Sequence, residues 1–179
     1  MHDSKVDLRS VHCGWTGFFF ACHEGHSDVV KTILEYSSKV AIDFNDRSGF
    51  GDITPFMAAC EQGHSQTVKL LLENSRNLNI DVNAMTNDGV NGLILACLCG
   101  HKNIIKLLLE FASNLDTCID FNARNRGLTA FGFACLLGKV EVVKIFLEYS
   151  NIVDVSGVEN LQLSKTVKHL IDQHHPKKC

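Results

Sequence analysis

A chain of 179 residues, 45% of them apolar and 21% charged, fits either one compact domain or one modest solenoid. Its 17 basic and 20 acidic residues leave a formal charge of −3, which sets up no field that would gather nucleic acid. No charged region leads into a secretory apolar segment, and no stretch approaches the ~20 apolar residues of a membrane span, so a soluble protein of the cytoplasm or nucleus is expected.

In chain order, residues 4–13 read as the tail of a repeating unit. Val6-Asp7-Leu8 stands ten residues before Thr16, as Ile119-Asp120-Phe121 stands before Thr129. The segment Thr16–Leu34 then predicts a short apolar helix, a Gly25-His26 turn and an amphipathic helix. Trp15, Phe18, Phe19 and Phe20 make the first of these apolar on nearly every side, although the end unit of a stack normally needs a polar outer face. Either the N-terminal arm or another surface is expected to cover it. The same layout recurs at Ile53–Leu72, Asn91–Leu109 and Thr129–Leu147. Ala21-Cys22, Ala59-Cys60, Ala96-Cys97 and Ala134-Cys135 are separated by 38, 37 and 38 residues. Gly25, Gly63, Gly100 and Gly138 keep the same step, as do Lys31, Lys69, Lys106 and Lys144. A fixed period in the range of roughly 20–50 residues marks a stacked repeat protein.

Each second helix carries its apolar residues at spacings of three and four, on one face. Val29, Val30, Ile33 and Leu34 correspond to Ile104, Ile105, Leu108 and Leu109, and to Val142, Val143, Phe146 and Leu147. Beyond these helices the connections read EYSSKVAID, ENSRNLNID and EFASNLDTCID. About one helical turn of ~3.6 residues has been added, which predicts longer helices and places Val40, Leu78 and Leu115 on the neighbouring unit. Fingers follow from Asp43, Asp81 and Asp120, with Asp88-Gly89 and Arg126-Gly127 as tight turns. The finger around Phe50-Gly51 is the longest. From Asn151 the repeat shrinks. A finger and much of a first helix are missing, while Thr166–Ile171 matches a second helix. Leu163, Val167, Leu170 and Ile171 are predicted inward, and Gln162, Lys165, Lys168 and Asp172 outward, as a C-terminal cap ended by Pro176.

The whole pattern resembles the ankyrin repeat, whose core runs approximately T-P-L-H-x-A-A-x-x-G-H, then V-V-x-x-L-L and V-N-A. The second copy carries Thr54-Pro55-Phe56, Ala58-Ala59, Gly63-His64, Leu71-Leu72 and Val82-Asn83-Ala84. There are departures. Phe19, Met57, Ile94 and Gly132 stand at the motif histidine, only the second copy has the proline, and no glycine follows the second helices, where the family generally has one as a cap. The resemblance implies an all-α ankyrin-repeat solenoid with short β-hairpin-like fingers. One domain over residues 1–179 would hold full repeats at about 14–50, 51–88, 89–126 and 127–155, an N-terminal half-finger, and a truncated cap at 156–175.

Catalytic chemistry finds little support. Cys22, Cys60, Cys97 and Cys135 hold one equivalent position per copy. Stacked helices lie about 8–10 Å apart, whereas a disulfide needs Cα atoms within about 7 Å. The four read as small buried hydrophobes, and Cys97 and Cys99 point to different sides of one helix. Cys13, Cys118 and Cys179 read as reduced thiols, so the set fits a reducing compartment. His26, His64 and His101 lie at the Gly-His turns, where a ring nitrogen can bond local backbone, and fall in separate layers unsuited to a shared metal. His23 with His26, and His174-His175, read as exposed pairs. A thiol enzyme built on Cys99 and His101, or on His23, has no third group in reach. Neither G-x-S-x-G, H-E-x-x-H nor a phosphate-binding glycine loop occurs. No catalytic residue, metal or cofactor is expected.

By resemblance, partner contacts fall on the fingertips and on the pair before each Gly-His turn. These are His12, Cys13, Trp15, His23 and Glu24, then Arg47, Ser48, Phe50, Glu61 and Gln62. The third and fourth copies give Asn87, Asp88, Val90, Leu98 and Cys99, and Asn125, Arg126, Leu128, Leu136 and Leu137. On the helix side the series is polar and acidic in the first two copies and apolar in the last two. Leu98, Leu136 and Leu137 predict either a groove for an extended segment or amphipathic helix of another protein, or residues covered by neighbouring fingers. The functional expectation is a monomeric, non-catalytic protein-interaction module acting as adaptor, scaffold or inhibitor. The alternatives are a piece of a larger protein with its activity elsewhere, or a thiol- or histidine-dependent hydrolase.

Overall fold

The first helix of every copy begins at a residue whose side chain closes it. In a computed structural model describing residues 11–12, 15–39, 42–47, 51–114 and 119–174, the helices α1 (Gly17–His23), α3 (Pro55–Gln62), α5 (Gly92–Cys99) and α7 (Ala130–Leu136) follow Thr16, Thr54, Asn91 and Thr129. Their side-chain oxygens accept the backbone N–H of Phe19, Met57, Ile94 and Gly132 at 3.2, 3.3, 2.9 and 3.2 Å. Each bond satisfies one of the donors a helix start leaves unpaired. Those four residues stand where the repeat motif has its histidine. Their side chains are instead core or, at Gly132, absent.

The second helices are α2 (Ser27–Glu35), α4 (Ser65–Leu78), α6 (Lys102–Asn114) and α8 (Val140–Glu148). The added helical turn is present in α4 and α6, which run to 14 and 13 residues against 9 in α2 and 9 in α8. In the first copy it takes another form: α2 stops at Glu35 and a short 3-10 turn covers Ser37–Lys39. Asn79 does the work of the absent cap glycine. It sits left-handed at φ 53° and ψ 42°, its N–H bonded to the Ser75 carbonyl. Asparagine tolerates this region better than most non-glycine residues. Leu78 packs against the core as expected, whereas Val40 and Leu115 lie outside the described residues.

First helices stack on first helices, α1 to α3 to α5 to α7, and second helices on second, α2 to α4 to α6 to α8. One continuous apolar core runs between the two rows. A second series joins the fingers. The side chains of Asn45, Asn83 and Asn122 accept the N–H of Asp81, Asp120 and Asp154 one copy further on, at 2.7, 2.8 and 2.9 Å. Within each copy the aspartate turns back to accept an N–H two residues along, from Asn45, Asn83, Asn122 and finally Ser156. The base of a fifth finger is therefore retained at Asp154–Ser156, contrary to the expectation that this finger is lost. The carboxyl group of Asp154 is held below the usual carboxylate range by the Ser156 hydroxyl and N–H, with Arg124 adding to the effect. Helix α9 (Lys165–His174) takes the next second-helix place, packed on α8. Val167 is buried and Leu163, Leu170 and Ile171 half-buried, while Gln162, Lys165, Lys168 and Asp172 are exposed, as the cap reading predicts.

At the other end a two-residue hairpin, β1 (Val11–His12) and β2 (Trp15–Thr16), leads into α1. Trp15 packs at a tilt, 5.1 Å from Phe19 and 4.7 Å from His23, ring centre to ring centre. Phe18 and Phe19 are buried, but Phe20 remains 48% exposed. Val29 is 50% exposed while its equivalents Thr67, Ile104 and Val142 are at 1%, 0% and 3%. The difference is positional, because each later copy is covered by the helices before it.

Candidate interaction surface

The ends of the first helices form one edge of the stack, and their turns are locked across copies. His64 donates a ring N–H to the carbonyl of His23 at 2.9 Å, and His101 donates to that of Glu61 at 2.7 Å. These rings lie flat over the glycine of the copy before. A Cβ at Gly25 would stand 2.4 Å from His64, and one at Gly63 would stand 2.7 Å from His101. His64 and His101 thus bond the preceding copy, correcting for these two the expectation of a local backbone bond. In the fourth copy Lys139 replaces the histidine, and its amine approaches Gly100 instead.

Along this edge run His23 and Glu24, Glu61 and Gln62, Leu98 and Cys99, then Leu136 and Leu137. His23 is tied down on both sides. Its Nδ1–H donates to the Glu24 carboxylate at 2.7 Å, and its Nε2 meets the Gln62 amide at 3.4 Å. Leu98, Leu136 and Leu137 are exposed at 36%, 44% and 48%. Neighbouring fingers do not cover them, so of the two readings of these leucines the covered one fails.

The fingertips divide in another way. Arg47 donates to the carbonyls of Asp52 at 2.9 Å and Met85 at 3.0 Å, and pairs with the Asp52 carboxylate at 3.3 Å. It clamps the second finger to the third. Arg126 is exposed, and with Gly127 it makes a two-residue turn, φ 49° and 81°, closed by Asn125 and Leu128. Positive φ at both residues is the hairpin geometry that matches strand twist. The Asn125 side-chain amide donates to the Asp88 carbonyl, joining the third and fourth fingers. Asn87 is exposed, and Val90 and Leu128 are half-buried. Phe50, Cys13 and Ser48 lie outside the described residues, as does the side chain of His12. Sequence reasoning missed exposed Met85, beside Asn91 at the base of the third finger; its place in the V-N-A-x strand gives no outward signal.

The thiols are placed as core. Cys22, Cys60, Cys97 and Cys135 are buried and free, and burial pushes all four upward, Cys97 and Cys135 to about 12. The Cys97 thiol donates to the Ala130 carbonyl of the next copy at 3.0 Å. Cys99 is exposed on the other side of α5. Partial burial raises its pKa, and the Glu61 charge raises it further, while Lys139 works against both. That is the reverse of what an activated nucleophile requires. Among the described residues no three His, Cys, Asp or Glu side chains gather as a metal site, and no helix is long and apolar enough to cross a membrane. A hollow of about 920 Å³ at the C-terminal end is lined by Val155, Val158, Leu161, Leu163 and Ile171, rimmed by Glu159, Lys168 and Asp172. It lies away from this edge.

Paired helices stacked in two rows, with cross-copy bonds at the turns and fingers, define a helical-repeat solenoid. A family model described as ankyrin repeats (3 copies) matches residues 1–85 and again residues 77–157. The chain belongs to the ankyrin-repeat family, whose repeats generally mediate protein–protein interaction. No curated protein matches it.

Proposed function

We propose that this chain is a non-catalytic interaction module, an adaptor, scaffold or inhibitor, that holds a segment of another protein along the edge formed by the first helices and fingertips. One observation carries the reading: Leu98, Leu136 and Leu137 are exposed on helices whose other apolar side chains are mostly buried. Apolar side chains left in a row at the surface of a packed scaffold suit contact with a partner. Trp15, Asn87, Val90, Arg126 and Leu128 border the same surface, and His23 and Arg47 brace it through bonds inside the chain. The upward shift of the Cys99 thiol supports a non-enzymatic role. The overall charge of −3 favours a protein partner over nucleic acid, and the buried free thiols fit a monomer in a reducing cytoplasm or nucleus.

The test is Leu136→Asp with Leu137→Asp. Both sites are exposed, so folding stability should change by no more than about 0.5 kcal/mol and helical circular dichroism should be retained. Partner capture from cell extract, identified against the wild-type chain, should be lost. Unfolding of the double variant, or capture equal to wild type, would refute the reading.

A further inference from the structure

The edge changes character halfway along, and the change defines the chemistry of the segment it holds. Resting on the interaction reading above, we infer that the partner segment is bipartite, carrying Lys or Arg at the end facing the first two copies and large apolar side chains at the end facing the last two. Glu24 and Glu61 supply two carboxylates on successive helices of the first half. Among the described residues neither is paired with a lysine or arginine: Glu24 accepts a hydrogen bond from the His23 ring at 2.7 Å, and the charges of both Glu61 and Lys139 are felt at Cys99 in the next copy. Arg47, on the finger of that half, is already matched to Asp52. In the second half the fingertip charges Asp88 and Arg126 are of opposite sign, and the helix side offers Leu98, Leu136 and Leu137 at 36%, 44% and 48% exposure. The halves are physically continuous. Gln62 reaches His23, His101 holds Glu61, and Lys139 stands over Gly100. Successive rungs lie about 8–10 Å apart, which an extended chain at about 3.3 Å per residue crosses in three residues. An acidic segment would place like charges against Glu24 and Glu61, so the surface also selects against it.

The test uses phage-displayed random 16-residue peptides panned on the immobilised full chain, followed by fluorescence anisotropy of the best synthetic peptide. Enriched peptides should cluster Lys or Arg toward one end and Leu, Ile, Phe or Met toward the other. Glu24→Gln with Glu61→Gln should weaken the selected peptide by about three- to tenfold, an effect that shrinks as salt rises. Leu136→Asp with Leu137→Asp should abolish its binding. Apolar peptides without basic preference, or an affinity indifferent to the two glutamates, would overturn the bipartite inference and leave the interaction reading standing. Peptides indifferent to Leu136 and Leu137, or no enrichment at all, would overturn both.

Discussion

The joint between the second and third copies and the joint between the third and fourth have the same core and different edges. In both, the earlier first helix carries a buried Ala-Cys pair, Ala59-Cys60 or Ala96-Cys97, and a finger asparagine accepts the following aspartate N–H. At the earlier joint the His101 ring covers Gly63 and bonds the Glu61 carbonyl. At the later joint a flexible lysine stands over Gly100, and beyond it a Cβ at Gly138 would meet nothing. The lesson is that stacking in this chain has two separable parts. An apolar core interface recurs at each joint, while a glycine–ring clasp needs two particular residues 38 or 39 positions apart, as Gly63 and His101, and Gly25 and His64, are.

The largest expected effect acts on what the joints share. Thiols kept neutral by burial stabilise the fold fully below the free-thiol pKa of about 8.5. Their contribution is lost as pH rises toward the folded value, about 12 for Cys97, because above 8.5 the unfolded chain binds fewer protons. Stability should fall by about 1.4 kcal/mol per pH unit for each such thiol, seen as a lower urea midpoint at pH 10 than at pH 8. Cys60→Ala with Cys97→Ala should roughly halve that slope, since Cys22 and Cys135 remain, and an unchanged slope would separate the cysteines from the shared core.

Next in size is the clasp itself. Gly63→Ala combines a left-handed backbone at φ 82° with a Cβ 2.7 Å from the His101 ring, and should cost about 2–3 kcal/mol. Gly138→Ala carries the backbone cost alone, about 1–2 kcal/mol. Equal losses for the two variants, measured by urea denaturation, would mean that the ring imposes nothing. His101→Ala should cost about 1–2 kcal/mol, through its hydrogen bond and packing. A double-mutant cycle with Gly63→Ala should show strong non-additivity. The smallest effect is a gain. Lys139→His should extend the clasp to the Leu98 carbonyl and raise stability by at most about 1 kcal/mol, whereas a loss would show that the later joint is built for lysine.

Much of this was legible in the chain. The spacing of Val30, Ile33 and Leu34 and its echoes gave the second helices, and the recurring Ala-Cys pair gave the buried ladder. The extra turn was readable from ENSRNLNID, yet the same number of residues in EYSSKVAID produced a 3-10 turn, a choice that length alone does not make. The site was less legible. Equivalence to family contact positions picked out Leu98, Leu136 and Leu137, but equally Arg47, which the fold uses as a clamp between fingers. A long cationic side chain reads the same in sequence whether it faces a partner or a neighbouring carbonyl.

The sequence by itself determined the period, the two helices of each copy, the residues equivalent between copies and the family, because helix faces and turn residues are set by spacings of a few positions. Tertiary structure decided which histidine nitrogen meets which carbonyl, which asparagine carries each finger to the next, and which leucines stay in water. Those outcomes depend on side chains about 30–40 residues apart being brought within hydrogen-bond distance, around 3 Å, and only the stacking of one copy on another does that.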